Sequence, residues 1–336
     1  MKHIHYGNFR VVAALFVFLM AGLLLFPACT QKSDTAGKTY KICLVQYIDS
    51  PISEDTKQGV IEGLRNSGLQ EGKDYTLKIY NAQGDVSTLN SIMDMVNNEA
   101  YTVIIVSSTP TLQAALNKVK NAPIVFTTVA DPVAGGAGKS FAEHLPNVTG
   151  ISTLGDYEGL VKILPRILPN ARTIGTLFAP GEINSVVNKD HFDRFTRKYN
   201  LKLVAVPVNS TADVSNAAQL LAGQNIDALC QIICNLTDAA FPAIAQAAQK
   251  KRIPLFGFTD KQIAQGAIAV VSRDYVQAGK DAVVLALRIL RGENPAQIPF
   301  TLVSKSNLII NKSAARDYGI TIPDDLLKQA DKVVGE

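Results

Sequence analysis

The chain has 336 residues, of which 47% are hydrophobic and 18% are charged, a composition typical of a globular protein with a large apolar core. Because single cores stop growing at about 250 to 300 residues, this length favours two folding units. Lys2 and Arg10 account for two of the 33 basic residues against 29 acidic ones, so the rest of the chain is nearly neutral. Without a basic cluster interleaved with aromatic residues, the sequence argues against a nucleic-acid partner.

The N-terminus has the pattern of a secretory signal. Lys2 and Arg10 precede an uncharged apolar run over residues 11–28. A run of about 18 residues is at the lower limit for spanning a bilayer, which leaves an uncleaved membrane anchor as the alternative. The pattern predicts a signal peptide over residues 1–28.

Cys29 stands directly between this apolar run and a polar stretch. Ala28 supplies a small residue before the cysteine, although Phe26 and Pro27 are not the commonest residues at their positions. The segment resembles a bacterial lipobox, in which such a cysteine is lipidated and becomes N-terminal. The resemblance implies a lipidated Cys29, a flexible tether over residues 29–39, and an extracytoplasmic location on the periplasmic side or the outer cell surface of a bacterium.

The other cysteines do not indicate metal or redox chemistry. Cys43, Cys230 and Cys234 lack the paired spacing of a zinc site or a thiol-disulfide motif, and two of the four histidines lie in the predicted signal. We expect no metal ion, no cofactor and no catalytic group, and therefore no enzyme. Apolar sequence around Cys230 and Cys234 disfavours the tight turn that a disulfide between them requires, but their oxidation state stays open.

From Lys41 onward, short β-branched or apolar runs alternate with amphipathic helical segments, which predicts parallel sheets with helices on both faces. A second, similar half begins after Gly155, so we predict an α/β protein of two doubly wound lobes. The predicted strands span residues 41–46, 75–81, 103–106, 124–128 and 148–151, then 173–178, 202–206, 228–232, 255–258 and 267–271. The predicted helices span residues 53–67, 88–98, 111–117, 156–168, 185–199, 215–222, 239–251 and 275–291. Two short apolar runs, residues 301–303 and 307–310, and a helix from Asp324 complete the chain.

Ligands of open α/β sheets bind at the carboxyl ends of strands, so the site is expected in the loops that follow them.

Eight short motifs occupy these loops in order. They are Gln46-Tyr47 with Pro51, residues 81–85 (NAQGD), 108–110 (STP), 131–132 (DP), 147–150 (NVTG), 180–185 (PGEINS), 257–260 (GFTD) and 274–275 (DY). Together they resemble the ABC-type substrate-binding family described as tryptophan/tyrosine transport system binding proteins, over residues 41–299.

The resemblance implies a periplasmic-binding fold of type I, with two lobes joined by a hinge. It implies ligand capture without catalysis, an aromatic amino acid as a common ligand class, and an ABC permease and ATPase as partners of a monomeric binding protein. It also implies one lobe of residues 40–150 plus 274–303, and a second lobe of residues 151–273 plus 304–336.

The sequence departs from the family in one loop. After the strand over residues 228–232 the family usually carries Pro-Thr-Asp-Asn, whereas this chain has Cys234 at the aspartate position and only Asn235 matches. If that aspartate holds a ligand ammonium group, its replacement favours a less charged or more apolar ligand over an amino acid.

Several loop residues are candidate ligand contacts. Ser108 and Thr109 open a helix, where hydroxyls and free N–H groups hold an anion or simply cap the helix. Asp131 and Asp260 end strands and present acceptors to an ammonium or hydroxyl group, although Asp131 before proline also suits a turn. Tyr47 offers an aromatic face and a hydroxyl group. The remaining candidates either form hydrogen bonds with polar groups of a ligand or cap helices. They are Asn184, Ser185, Asn235 and Thr237.

Other functions remain open at this level. A sensory binding protein that docks on a receptor fits the same sequence, as does an importer component for a nucleoside or another small solute. An extracytoplasmic enzyme is disfavoured because no catalytic triad or metal-ligand set is visible.

Overall fold

The structure is a computed structural model that describes residues 39–303 and 306–336. The predicted signal peptide, the predicted lipidation site Cys29 and all but the last residue of the predicted tether lie outside the described residues.

Strands and helices alternate along the chain. The strands are β1 (Tyr40–Gln46), β2 (Tyr75–Asn81), β3 (Val103–Ser107), β4 (Ile124–Val129), β5 (Val148–Ser152), β6 (Thr173–Phe178), β7 (Lys202–Pro207), β8 (Ala228–Gln231), β9 (Leu255–Gly257), β10 (Ala269–Arg273), β11 (Thr301–Leu302), β12 (Ser306–Asn311) and β13 (Lys332–Val334). The helices are α1 (Pro51–Arg65), α2 (Val86–Asn98), α3 (Thr109–Lys118), α4 (Tyr157–Ile167), α5 (Ile183–Lys198), α6 (Val214–Ala222), α7 (Asn235–Ala239), α8 (Phe241–Lys250), α9 (Lys261–Ala264), α10 (Tyr275–Leu290), α11 (Lys312–Asp317) and α12 (Asp324–Gln329). The short elements α7, α9, α11 and β13 have no counterpart in the predicted pattern.

The strands form two sheets. The first has the order β11-β5-β4-β3-β1-β2 and is parallel throughout, and the second has the order β13-β12-β10-β9-β8-β6-β7. Only the β10–β12 pair is antiparallel among the described pairings of the second sheet. These sheets confirm the predicted α/β fold of two doubly wound lobes. We call the first sheet with its helices the first lobe, and the second sheet with its helices the second lobe.

Both faces of the first sheet are buried, as the sequence of β1 illustrates. Ile42 and Leu44 pack on one face with residues of α1 and α10, whereas Cys43 and Val45 pack on the other with residues of α2 and α3. Since side chains alternate across a strand, a sheet covered on both faces needs a continuous apolar run. This is why the strands read as unbroken β-branched segments.

Two glycines let α1 approach α10 closely. A Cβ atom at Gly59 would lie 2.0 Å from the carbonyl oxygen of Val276, and one at Gly279 would lie 2.3 Å from that of Thr56. The helix backbones therefore touch at this crossing, and the contact fixes where the N-terminus of α1 lies. That N-terminus begins at the N-cap Ser50, directly after the loop that follows β1.

The chain passes between the lobes after β5, after β10 and after β11. Arg273 connects these segments, since its Nε donates to the Leu154 carbonyl oxygen at 2.9 Å and its Nη1 to Ser306 Oγ at 2.6 Å. The predicted lobe boundary at residue 150 falls inside β5, which pairs within the first sheet as far as Ser152. The division into residues 40–150 plus 274–303 and the remainder stays a prediction.

Candidate functional site

A cleft lies between the lobes, where the carboxyl ends of strands from both sheets face each other. Loops after β1, β3 and β4 form its first wall, and loops after β6 and β8 with the start of α5 form its second wall. This is the place where open α/β sheets bind ligands.

Two small central cavities occupy the middle of the cleft. Ser50, Thr128 and Asn235 line both of them, which shows that each cavity touches both lobes. Their volumes are about 20 and 10 Å³, room for roughly one water molecule each. The lobes are thus closed on each other in this structure.

A larger cavity, which we call the edge cavity, lies beside the loops that follow β2 and β7, the outer strands of the two sheets. Its volume is about 320 Å³, within the range of small-molecule pockets. Tyr47, Gln83 and Glu182 contribute polar atoms to its lining, and Val86 and Leu236 contribute apolar surface. A mixed lining of this kind suits an amphipathic group such as a substituted aromatic ring.

The first wall contains the N-terminus of α3. Ser108 is its N-cap, but the Ser108 side chain makes no capping hydrogen bond, and its φ is +102°. The next residue, Thr109, is 1% exposed and its Oγ1 has no hydrogen-bond partner among the described residues. Helix N-termini carry free N–H groups and a partial positive charge, so this part of the wall offers donors to an anion.

Thr128, at the end of β4, is a second strained residue of the first wall. Its φ is +58°, a conformation that β-branched residues rarely adopt, and the pairing of β4 with β5 shifts register between Phe126 and Val129. Thr128 Oγ1 lies 2.9 Å from Thr56 Oγ1, which itself donates to the Ile52 carbonyl oxygen. The bulge therefore turns Thr128 toward the cleft and ties it to α1.

The second wall contains a buried carboxylate. Glu182 is 7% exposed, and its Oε2 accepts hydrogen bonds from Asn235 N at 3.2 Å, Asn235 Nδ2 at 2.8 Å and Asn184 Nδ2 at 3.3 Å. Its Oε1 has no partner within the described part of the chain. Burial raises the pKa of the Glu182 carboxyl above its ordinary value, while the bonds from Asn235 and Asn184 oppose that rise.

Asn188 lies one helical turn beyond Asn184 on the same face of α5. It is 1% exposed, and its Nδ2 donates to the carbonyl oxygen of Ile233 at 2.8 Å. Within residues 39–303 and 306–336, neither Asn184 Oδ1 nor Asn188 Oδ1 has a hydrogen-bond partner. Both asparagines line the same central cavity.

The side chain of Asp238, on α7, contacts the first lobe across the cleft. Its Oδ2 accepts from the backbone N–H of Ile52 at 3.3 Å, and it also bonds the side chain of Ser50, so its carboxylate sits at the N-terminus of α1. Burial raises the pKa of Asp238 to about 6, although the bonds from Ser50 and Ile52 act in the opposite direction. A second contact, the ion pair between Lys261 Nζ and Asp55 Oδ1 at 3.1 Å, joins the same helix to the second lobe.

The structure brings four of the nine predicted ligand contacts to the cavities: Tyr47, Ser108, Asn184 and Asn235. Tyr47 also donates its hydroxyl to the Gly84 carbonyl oxygen at 2.9 Å, which fixes the ring.

The other predicted contacts lie behind or beside the cavities. Ser185 accepts from Ala179 N at 2.8 Å, and Thr237 bonds Gln231 Nε2 at 3.0 Å, so both hydroxyls hold loops in place. Thr109 is buried next to Ser108. Asp131 accepts from the N–H groups of Val133 and Ala134, the turn alternative considered for it. Asp260 is exposed and lines a separate surface depression near α9.

The sequence pattern did not single out Glu182, Asn188, Asp238 or Thr128. Glu182 lies inside the PGEINS motif, where its position before a helix suggests a surface residue. Asp238 lies on α7, a helix too short to be predicted, and the strain at Thr128 has no signature in sequence.

Within residues 39–303 and 306–336, Cys43, Cys230 and Cys234 are buried free thiols. Among those residues, none of the helices combines the length and apolar character needed to cross a membrane.

Comparison with known proteins places the chain in a family. Residues 41–334 match the family model of the ABC transporter substrate binding protein. The tyrosine-binding protein of Clostridioides difficile strain R20291 is 27% identical over 317 residues, which cover 91% of this chain and 92% of that protein.

Solved structures show the same fold. A conserved domain protein from Vibrio cholerae is 33% identical, with a TM-score of 0.84, and covers 88% of this chain and 100% of that one. An ABC domain from Streptococcus pneumonia in complex with L-Trp is 24% identical, with a TM-score of 0.85 and the same coverage. These similarities confirm the predicted periplasmic-binding fold of type I. The chain belongs to the ABC transporter substrate-binding protein family.

Proposed function

We propose that this chain is the extracytoplasmic binding component of an ABC importer and captures an aromatic amino acid between its lobes. The observation that carries this proposal is the cleft, in which buried polar atoms of both lobes converge on shared cavities. Three buried atoms of the second wall, Glu182 Oε1, Asn184 Oδ1 and Asn188 Oδ1, have no hydrogen-bond partner among the described residues. Such groups are costly, so their place on the cavities favours a polar ligand that supplies the missing partners.

The two walls suit the two ends of an amino acid. The N-terminus of α3, with Ser108 and Thr109, offers donors to a carboxylate, and Glu182 with Asn184 offers acceptors to an ammonium group. The edge cavity of about 320 Å³, lined in part by Tyr47, is large enough for an aromatic side chain. The names of two relatives support this ligand class, one a tyrosine-binding protein and the other a complex with L-Trp.

Of the nine predicted contacts, we propose Tyr47, Ser108, Asn184 and Asn235 as direct ligand contacts and Thr109 as a donor behind them. Ser185 and Thr237 support the second wall, and Asp131 holds its own turn. Asp260 is retained as a contact only for a part of the ligand that extends beyond the central cavities.

We further propose that Cys29 carries a lipid anchor after removal of residues 1–28, which would hold the protein on the membrane beside its permease and ATPase. The support is the lipobox-like sequence. Metabolic labelling with a radioactive fatty acid tests it, and labelling that survives in a Cys29→Ala variant would refute it.

Thermal unfolding with and without candidate solutes tests the proposed ligand. A ligand that binds only the folded state at 100 times its Kd adds about 2.7 kcal/mol of stability. L-tyrosine, L-tryptophan or L-phenylalanine should raise the melting temperature. If only a nucleoside or a sugar does so, solute capture stands and the aromatic assignment is wrong.

A further inference from the structure

We propose that Asp238 is a proton-linked helix cap across the cleft, which binds the N-terminus of α1 only when the lobes are closed, so that closing the cleft takes up a proton. Its hydrogen bonds to Ile52 and Ser50 of the first lobe are called the Asp238 cap below. The cap depends on the proposed capture of a solute between the lobes, but not on the aromatic assignment. It makes solute affinity rise in mildly acidic solution.

The first turn of α1 receives an acceptor from the second lobe. Pro51 has no N–H group, and the N–H of Ser53 donates to Ser50 Oγ at 3.2 Å. The N–H of Ile52, between them, donates to Asp238 Oδ2 at 3.3 Å. This acceptor comes from α7, which lies 186 positions later in the chain and belongs to the other lobe. A negative side chain at this end of a helix also meets its partial positive charge.

Closure of the lobes buries the Asp238 carboxyl group. Asp238 is 6% exposed and lines a central cavity together with Ser50, Ile52 and Thr128 of the first lobe. When the lobes separate, this side of the carboxyl group meets water instead of α1 and β4. A carboxylate in water has its ordinary affinity for a proton, whereas burial disfavours the charged form and strengthens proton binding.

The groups around the cap favour a proton on Asp238. Burial raises the pKa of Asp238 from its ordinary value of 3.8 to about 6, although the two bonds of the cap oppose the rise. Asp55, on α1, and Asp260, in the loop after β9, raise it further. Tyr275, on α10, stays uncharged because burial raises the pKa of its hydroxyl. Since Asp55 belongs to the first lobe, its repulsion of Asp238 also acts through closure.

The nearby cations are engaged elsewhere. Lys261, at the start of α9, pairs with Asp55, with 3.1 Å between Nζ and Oδ1. Arg273, on β10, bonds the segments that cross between the lobes. The described residues that line the two central cavities include no lysine, arginine or histidine. Proton uptake is therefore the means by which the buried Asp238 charge is neutralised.

The open and closed forms of the cleft then differ in proton affinity. The pKa of Asp238 is about 6 when the cleft is closed, against an ordinary value of 3.8 in water. Closing therefore takes up a proton between about pH 4 and pH 6, and a change from pH 7 to pH 5 favours the closed form roughly tenfold. Above about pH 7 the carboxyl group is ionised in both forms, so closure no longer depends on pH.

Isothermal titration of the full chain, purified in mild detergent, counts the protons. The probes are L-tyrosine, L-tryptophan and L-phenylalanine, which have no group that titrates between about pH 5 and pH 7. Each is titrated at both pH values in two buffers of different ionisation enthalpy, because the difference in heat gives the number of protons taken up. We expect uptake of roughly 0.8 proton at pH 5 and roughly 0.1 at pH 7, with roughly tenfold higher affinity at pH 5.

Asp238→Asn is the decisive variant, because its amide oxygen still offers an acceptor to Ile52 but its side chain cannot take up a proton. We expect no proton uptake in this variant and equal affinity at pH 5 and pH 7. Asp193→Asn is the matched control, since Asp193 pairs with the exposed Arg197 on the same helix, with 2.8 Å between Oδ2 and Nη2. It should keep the proton uptake of the wild type.

Amide hydrogen exchange tests the cap without a solute and without a variant. The N–H of Ile52 bonds Asp238 only in the closed form, so its protection factor reports closure. After correction for the intrinsic pH dependence of exchange, this protection factor should rise several-fold from pH 7 to pH 5 in the ligand-free protein. If Asp238→Asn misfolds by circular dichroism, this measurement and the proton count of the wild type decide.

The outcomes separate the two proposals. Proton uptake that vanishes in Asp238→Asn supports the cap, whereas uptake that survives there assigns the proton to Glu182, the other buried acid of the cleft, and overturns it. Binding without proton uptake at pH 5 overturns the cap and leaves solute capture intact. If no probe binds at either pH, the aromatic assignment is wrong. The cap then stands if the protection factor of Ile52 rises at pH 5, and it is overturned if that factor does not change.

Discussion

The two walls of the cleft differ in backbone strain and in buried charge. The first wall holds two residues, Ser108 and Thr128, at φ values of +102° and +58°, and it presents hydroxyls and a helix N-terminus. The second wall has relaxed helical backbone but buries the carboxylates of Glu182 and Asp238. The first wall therefore contains strained backbone and hydrogen-bond donors. The second wall contains buried negative charge and hydrogen-bond acceptors.

The cleft is therefore polarised from one lobe to the other. The proposed amino acid has a negative and a positive end, so it would contact both walls at once. Asp238 already bridges the walls by bonding Ser50 and Ile52 at the start of α1. Changes to either wall should therefore have distinct signatures in stability and in binding.

The largest effect is expected from displacing the first wall. In Gly59→Ala the new Cβ would lie 2.0 Å from the carbonyl oxygen of Val276, so α1 must move away from α10. We expect the free energy of unfolding to fall by about 3 kcal/mol in urea denaturation, with weaker solute binding because Ser50 and Ile52 shift. Gly181→Ala is the control, since no atom lies within 4 Å of its Cβ, and it should change stability by less than about 0.5 kcal/mol. Equal stability of the two variants would contradict the close helix contact.

The charge of the second wall predicts a pH dependence. The pKa of Asp238 is raised to about 6 from 3.8, so the folded state holds the proton more tightly than the unfolded state. Stability from this group is fully present below pH 4 and is lost as the pH rises through 6, a change of roughly 2 kcal/mol. Urea denaturation between pH 4 and pH 7 should show this loss in the wild type and not in Asp238→Asn. If the difference in unfolding free energy between the two proteins stays constant across this range, the raised pKa of Asp238 is refuted.

Relief of strain in the first wall should produce a smaller effect of opposite sign. Ser108→Gly allows the φ of +102° without a Cβ clash, so we expect the protein to gain about 1 kcal/mol of stability. Loss of the hydroxyl should weaken solute binding at the same time. Ser108→Ala separates the two effects, because it removes the hydroxyl and keeps the strain. A gain in stability without any loss of affinity in Ser108→Gly would show that the strained serine does not serve binding.

The smallest effect is expected from the ion pair between Lys261 and Asp55. Lys261 pairs with Asp55 across the lobes, but half of the lysine side chain is exposed, so solvent screens the pair. Lys261→Gln should weaken binding of the captured solute by less than about threefold at low salt, and by less still in 0.5 M salt. Lys57→Gln is the control, since Lys57 pairs with Glu54 within α1 and crosses no boundary. A tenfold loss in Lys261→Gln alone would make this pair a principal closure contact.

Much of the fold could be predicted from the sequence because its elements are long and periodic. β2 and β6 were predicted with the observed bounds, and α10 differs from prediction by one residue at its end. The residues of the site were harder to predict from the sequence. Asn184 and Asn235 were predicted as contacts because polar loop residues after strands tend to face a cleft, but Asp260 satisfied the same rule and lies outside the cavities.

The doubly wound α/β lobes could be inferred from the chain alone, since burial on both faces of a parallel sheet requires continuous apolar runs that are visible in it. It also determined which loops could form the cleft, because parallel strands end at one edge of a sheet. The folded structure was needed to see that Glu182 lines the edge cavity and that Asn188 and Asp238 line a central cavity. It was also needed to see that Ile52 of the opposite lobe bonds Asp238. The physical reason is that hydrogen bonds between residues far apart in sequence depend on how the lobes close, and no local pattern encodes that distance.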